Sequence, residues 1–227
     1  MFSSRAFAAS PRGNDRRIHS AKPFLLILCG LLLFAPLAQT ASAISRHVPL
    51  EEMTTGAGRI VHGRVADSRP GTHPQYSHIA VTFVTLEVID MIRGNAARQV
   101  TFMQFGAEAA RSGGASHNFH LPRYLTGEEV VLFLYPESQY GFTSPVGEGQ
   151  GKFLVSHDAR TGRPALMNDR GNRDLFTALR TEKMQTRLRL SSAERSLVTQ
   201  QGGALDLEHF RSLVRKMATD RTGVATH

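Results

Sequence analysis

Tryptophan is absent from this 227-residue chain, and cysteine occurs once, at Cys29. A single thiol makes no intrachain disulfide, no paired redox motif and no multi-thiolate metal site. There is no Gly-x-Ser-x-Gly elbow to present a hydrolase nucleophile. The one glycine run that leads into a lysine, Gly147-x-Gly149-x-Gly151-Lys152, is followed by Phe153. A phosphate loop needs Ser or Thr at that position and a helix behind it, so these glycines read as turn formers. Long apolar runs are missing too. The longest uncharged apolar stretch, Phe24 to Ala38, falls short of the roughly 20 residues a spanning helix requires and contains Pro36. Residues 159–227 have only Phe176 and Phe210 as aromatic rings, poor material for base stacking, and no nucleic-acid partner is expected.

That apolar stretch has a recognisable setting. Arg5, Arg12, Arg16, Arg17 and Lys22 precede it against a single acidic residue, Asp15, and Thr40-Ala41-Ser42-Ala43 follows it. A basic segment, a short apolar core and small residues at Ala41 and Ala43 form a secretory signal, with cleavage expected after Ala43. Leu28 before Cys29 does not fit lipidation. His19 and Ser20, behind Arg16-Arg17, do not fit a twin-arginine route. The general secretory pathway is the expectation, with a periplasmic or secreted destination. Cys29 would leave with the leader, so residues 44–227 would be cysteine-free. A chain of that size buries about 70% of its unfolded surface and folds without staples.

Charge is uneven. The chain carries 27 Lys+Arg and 19 Asp+Glu. Residues 44–158 are slightly acidic, with 9 basic and 11 acidic residues, whereas residues 159–227 hold 13 basic and 7 acidic. The pattern changes over the same range. Up to about residue 169 the chain reads as short strands separated by turns: 59–65, 78–92, 99–105, 128–135, 142–146, 151–156 and 163–167. Val, Ile, Thr and Phe alternate in these runs, and Gly, Pro and Asn punctuate them. The lead-in at 48–58 reads as a helical turn, and 66–77, with Pro70, Gly71 and Pro74, as a loop. Beyond residue 172 the signals become helical. Ser191-Ser192-Ala193-Glu194 fits a capping box. Leu207, Phe210, Leu213, Val214 and Met217 recur at helical spacing behind Asp206. Burying that stripe against the β-rich part is worth roughly 7–15 kcal/mol gross. The fold expected is mainly β: a small antiparallel β-barrel or sandwich, OB-like, with a C-terminal α-helical extension. The expected segments are a signal peptide at 1–43, a β-barrel domain at 44–169 and a basic helical extension at 170–227.

Chemistry-bearing residues are sparse. His117 and His120 in the 106–127 loop are the first candidates for metal ligands, with His73 and His78 in or beside another loop. A site needs three or four converging donors, and HxxH supplies two. Glu128-Glu129 and Glu51-Glu52 are adjacent carboxylates. Neighbouring residues on a strand face opposite ways, so such a pair does not converge, and both pairs read as solvated. No catalytic residue or cofactor is assigned on this basis.

One resemblance bears on the whole. The runs Ile60-Val61-His62-Gly63-Arg64-Val65, Val81 through Val88, Ile92-Arg93-Gly94, Leu121-Pro122-Arg123-Tyr124, Gly127 through Leu134, and Gly149-Gln150-Gly151-Lys152-Phe153 resemble a family of uncharacterised secreted bacterial domains. The similarity spans about residues 50–156. It implies a small closed β-barrel of the oligonucleotide/oligosaccharide-binding shape, similar to netrin-type modules, and an exported location. Netrin-type inhibitors depend on cysteines that residues 44–227 lack, so no inhibitory mechanism and no functional residue carries over.

The function expected is therefore an exported, non-catalytic binding or interaction module. Its partner would be a protein or envelope component, contacted through the 106–127 and 66–77 loops. Two alternatives come from other classes. One is a metal-dependent hydrolase using His117, His120 and a distant third ligand. The other is an envelope-surface protein whose basic C-terminal segment contacts anionic lipid or polysaccharide.

Overall fold

The computed structural model describes residues 46–106 and 121–220, and these belong to one compact unit. The expected signal peptide, with Ala41 and Ala43, lies outside the described residues, as do His117 and His120. Among the described residues no helix is long and apolar enough to cross a membrane.

The architecture is mainly β. Helix α1 (Leu50–Gly56) precedes β1 (Arg59–Thr72), β2 (Ala80–Arg93), β3 (Gln99–Phe105), β4 (Glu129–Leu134), β5 (Lys152–His157) and β6 (Pro164–Asn168). Two short helices, α2 (Glu182–Arg187) and α3 (Ser192–Val198), lead to β7 (Leu205–Asp206) and the terminal α4 (Leu207–Thr219). All ladders are antiparallel, and the seven strands lie in the order β3-β2-β1-β4-β5-β6-β7. β1 lies inside the sheet because its first half pairs on both sides, Arg64 with Glu87 of β2 and with Glu129 of β4. Three register shifts along β1–β2 bend the hairpin, as bulges do.

The barrel implied by the resemblance is not closed by its ladders. Residues 142–146, read from sequence as a strand, make only single bridges, Phe142 to Met103 of β3 and Pro145 to Leu134 of β4. Pro145 has no N–H to donate, and the segment spans the gap between two strands instead of pairing along either.

β4 buries both faces, which explains its unbroken apolar sequence. Val130, Leu132 and Leu134 face a cluster with Val61, Val65, Val84, Leu86, Phe102 and Tyr124. Val131 and Phe133 face the other way, into a core shared with Phe153, Leu166 and the helices. Four members of the helical stripe, Leu207, Phe210, Leu213 and Val214, are buried there, with Met217 packed against them. The Phe210 ring lies 5.0 Å from Phe153 and 6.3 Å from Phe133. The C-terminal helices are thus one wall of the core.

Polar contacts hold that wall in register. The capping box at α3 forms as its sequence dictates: Glu194 N–H donates to Ser191 Oγ at 3.2 Å, and Ser191 N–H to Glu194 Oε2 at 2.7 Å. Glu194 also accepts from Ser212 Oγ at 2.8 Å and pairs with Lys216, tying α3 to α4. Asp206 caps α4 through His209 N–H. Arg93, at the end of β2, donates to the carbonyls of Thr54, Ala57 and Ala218, bracing α1 and α4 against the sheet. Asn168 and Asn172 exchange side-chain and backbone bonds, and Asn172 Nδ2 also reaches Leu166 O and Gly203 O.

Candidate functional site

The feature that fits a recognition role lies where the β1–β2 hairpin ends. Residues 66–77, expected as a loop, instead extend β1 to Thr72, which pairs with Ala80. Pro70 is tolerated because β4 pairs with β1 only over Arg59–Arg64, and among the described residues no strand pairs with that side of β1 at Pro70. Gly71 has its own reason: a Cβ there would sit 2.9 Å from the Phe83 ring. The true turn is 73–79, closed by His73 N–H to Ile79 O at 2.9 Å and Ile79 N–H to Tyr76 O at 2.9 Å.

A second loop meets it. Ser138 N–H donates to Phe142 O at 2.8 Å, and Ser138 Oγ accepts from the N–H groups of Tyr140 and Phe142. Gly141 takes φ +77°, which favours glycine. Thr143 then docks the loop onto β3 through a 3.0 Å bond to Met103 O.

His73 joins the two loops. It is 4% exposed, and its Nδ1 accepts from Gln75 N–H at 3.1 Å and Tyr76 N–H at 3.2 Å. The proton therefore sits on Nε2, which donates to Tyr140 O at 2.8 Å. With both nitrogens engaged, this imidazole is a clamp. Rings run outward from it in contact. His73 lies 5.0 Å from Tyr76 and 5.2 Å from Phe142. Phe142 lies 5.8 Å from Phe105, and Tyr76 5.9 Å from Tyr140. Tyr76, Tyr140 and Phe105 are 37%, 48% and 44% exposed. His78, also exposed, sits 6.3 Å from Tyr76. From Gly106 the chain runs into 107–120, so of the two loops expected to bind, part of one lies outside the described residues.

The other residues singled out from sequence have local partners. Glu129 accepts from His62 Nε2 and Arg64 at 2.9 Å each, while Glu128 accepts from Lys152 at 2.7 Å. The two carboxylates do face different partners, but neither is merely solvated. Glu52 pairs with Arg46. Glu51, expected to be solvated, turns toward α2 and α4, beside Arg93 in a cavity of about 80 Å³, and burial raises its carboxyl above the usual range. The glycine run is a 3₁₀ turn, Glu148–Gly151. Lys152 lies 4.7 Å over the buried Tyr124 ring as well as bonding Glu128. A groove of about 370 Å³ opens between Pro122-Arg123 and the exposed Leu154 and Met167 of β5–β6. Among the described residues no group of three or more His, Cys, Asp or Glu is placed to hold a metal.

Much of the basic C-terminal charge is used internally. Arg211 and Arg215 both pair with Asp90, Arg187 with Asp220 at 2.9 Å, and Arg163 with Asp206 at 2.7 Å. Arg180 donates to the carbonyls of Val198 and Gln200. Burial pushes the Asp90 and Glu194 carboxyls up, but Arg211 and Arg215 beside Asp90, and Lys216, the Ser191 N–H and Ser212 around Glu194, outweigh it and hold both below the usual range.

The ring cluster could not be read from sequence because its members come from positions 73–78, 105 and 140–142. The only local signals were the exposed-type residues Gln75, Tyr76 and Ser77 at a turn. No protein-family model matches this chain, and neither does any curated protein or solved structure.

Proposed function

We propose that this chain is an exported, non-catalytic binding module whose ligand docks on the ring cluster at the tip of the β1–β2 hairpin. The observation that carries the reading is the set of three exposed rings, Tyr76, Tyr140 and Phe105, built on the buried His73 and the half-buried Phe142. Rings held at the surface leave apolar area in water that a partner can cover. Because His73 fixes both loops, little ordering is left to occur on binding. Export is supported by the leader-like residues before position 44. The non-catalytic part of the reading is supported by the structural contacts of Glu52, His73, Glu128 and Glu129.

The test uses the double variant Tyr76→Ala/Tyr140→Ala. Wild-type protein and variant are passed over three immobilised probes: a neutral polysaccharide, a proline-rich peptide and anionic vesicles. The proposal expects the wild type to be retained by one probe and the variant to lose that retention while its melting temperature stays within about 3 °C. Equal retention of both proteins on every probe, or retention on none, would overturn it.

A further inference from the structure

Independently of the ring cluster, we infer that α2 is a pH-gated strap, closed over Glu51 while that carboxyl is protonated and loosened once it ionises. Glu51 stands in the first turn of α1. The cavity it enters is walled by Arg93 from the end of β2, Met184 and Arg187 of α2, and Met217 and Asp220 at the end of α4. Both carboxylate oxygens are shut off from solvent, and among the described residues neither has a hydrogen-bond partner. Cations stand close by, but their bonds go elsewhere. Arg93 donates to the carbonyls of Thr54, Ala57 and Ala218, and Arg187 pairs with Asp220 at 2.9 Å. The neighbouring charges on the same elements are engaged too. Arg180, in the turn before α2, donates to Val198 O and Gln200 O. Lys216 of α4 bonds Glu194 and Arg189 O, and Glu52 of α1 pairs with Arg46.

An ionised carboxylate in that position has neither bulk water nor an ion-pair partner, and such burial is costly. The cavity of about 80 Å³ holds only a few waters, too few to stand in for solvent. Burial accordingly raises the Glu51 carboxyl above its usual range, against the pull of two nearby N–H groups, its own and that of Leu179. The weak side of the enclosure is α2. None of its six residues is buried, and Thr181 at its N-cap gives no side-chain bond to the first turn. By contrast, α1 and α4 place Leu50, Met53, Phe210 and Leu213 in the core. A short helix with so little buried surface opens before the sheet does, and opening it gives Glu51 water. The sign follows from the raised value. A carboxyl that holds its proton more tightly in the closed form favours closure at low pH. That preference is complete below about pH 4.3, the ordinary value for an exposed Glu, and is lost as pH rises through the closed-form value.

The test follows two quantities by nuclear magnetic resonance in wild-type protein, Glu51→Gln and Glu51→Met. One is the carboxyl ¹³C shift of Glu51 against pH. The other is hydrogen exchange at the amides of Gln185, Leu188 and Leu190, which bond within α2 and just after it. Comparing proteins at one pH cancels the intrinsic pH dependence of exchange. The wild-type carboxyl should titrate with a midpoint above about 4.3. At pH 7.5 the three wild-type amides should be at least about tenfold less protected than those of Val131 and Leu132 in β4, the mark of a local opening. Both variants, which cannot ionise, should slow exchange at the three amides about threefold or more at pH 7.5, and match wild type at pH 4. Agreement of the amide and the thioether variants separates the charge from any bond the new side chain makes. Both wild-type measurements stand whether or not a variant folds. A midpoint at or below 4.3, or α2 amides as protected as those of β4, would overturn the inference. So would variants that exchange as fast as wild type at pH 7.5, or a difference that persists unchanged at pH 4.

Discussion

Replacing Phe210 by alanine tests whether sheet and helices share one core. Phe210 is fully buried on α4, and its ring touches Phe133 of β4 and Phe153 of β5. Removing a buried phenylalanine costs about 3–5 kcal/mol, through lost transfer energy and the cavity left behind. The upper part of that range applies, because β4 and β5 are hydrogen-bonded into the sheet and cannot collapse into the space. Against a total of roughly 5–15 kcal/mol, that is a large fraction. For a domain of this size each kcal/mol lowers the melting temperature by about 2–4 °C, so a drop of about 10–20 °C is expected. Urea unfolding should be followed by two probes, helix ellipticity for the C-terminal wall and tyrosine emission for the sheet, where Tyr124 is buried in the inner cluster. Both should shift together to lower urea, as one cooperative transition. The reasoning is refuted if helix signal is lost at low urea while tyrosine emission keeps its wild-type midpoint. In that case the helices would be an appendage of the sheet, not a wall of its core.

Two further outcomes follow from particular side chains. Glu194→Gln should destabilise the fold by about 1–3 kcal/mol at pH 7, since it weakens bonds to Lys216, Ser212 and the Ser191 N–H. Because these contacts hold the Glu194 carboxyl below its unfolded value, its stabilisation is present above about pH 4.3 and fades as pH falls through the folded value. Urea midpoints of variant and wild type should therefore converge toward pH 3, and a gap that stays constant with pH would refute this. Gly151→Ala should cost about 1–3 kcal/mol or more, because its Cβ would lie 2.5 Å from Val146 O and 3.2 Å from Phe133 O, both backbone. Gly171→Ala, at φ +64° in open space, should cost about 1 kcal/mol by strain alone. Equal thermal shifts for the two would show that close approach is not what position 151 requires.

What could be read from the residues alone were features decided within a few positions. The alternation of Ile79 through Val84 marks β2, and the Ser191–Glu194 spacing makes the capping box. The stripe from Leu207 to Met217 announces the buried face of α4. In each case the signal and the structure share one turn or one short strand.

The tertiary structure decided what depends on partners distant in sequence. β1 runs through Pro70 and Gly71 because, among the described residues, β2 alone pairs with it there, and residues 142–146 bridge two strands because β3 and β4 stand on either side. Glu51 is enclosed because α2 and α4 close over it. The ring cluster belongs to the same class. His73, Phe105 and Tyr140 carry no shared local signal, and one imidazole with both nitrogens committed brings their loops together. Local periodicity specifies which face of an element is apolar; which surfaces meet is set by packing the whole chain.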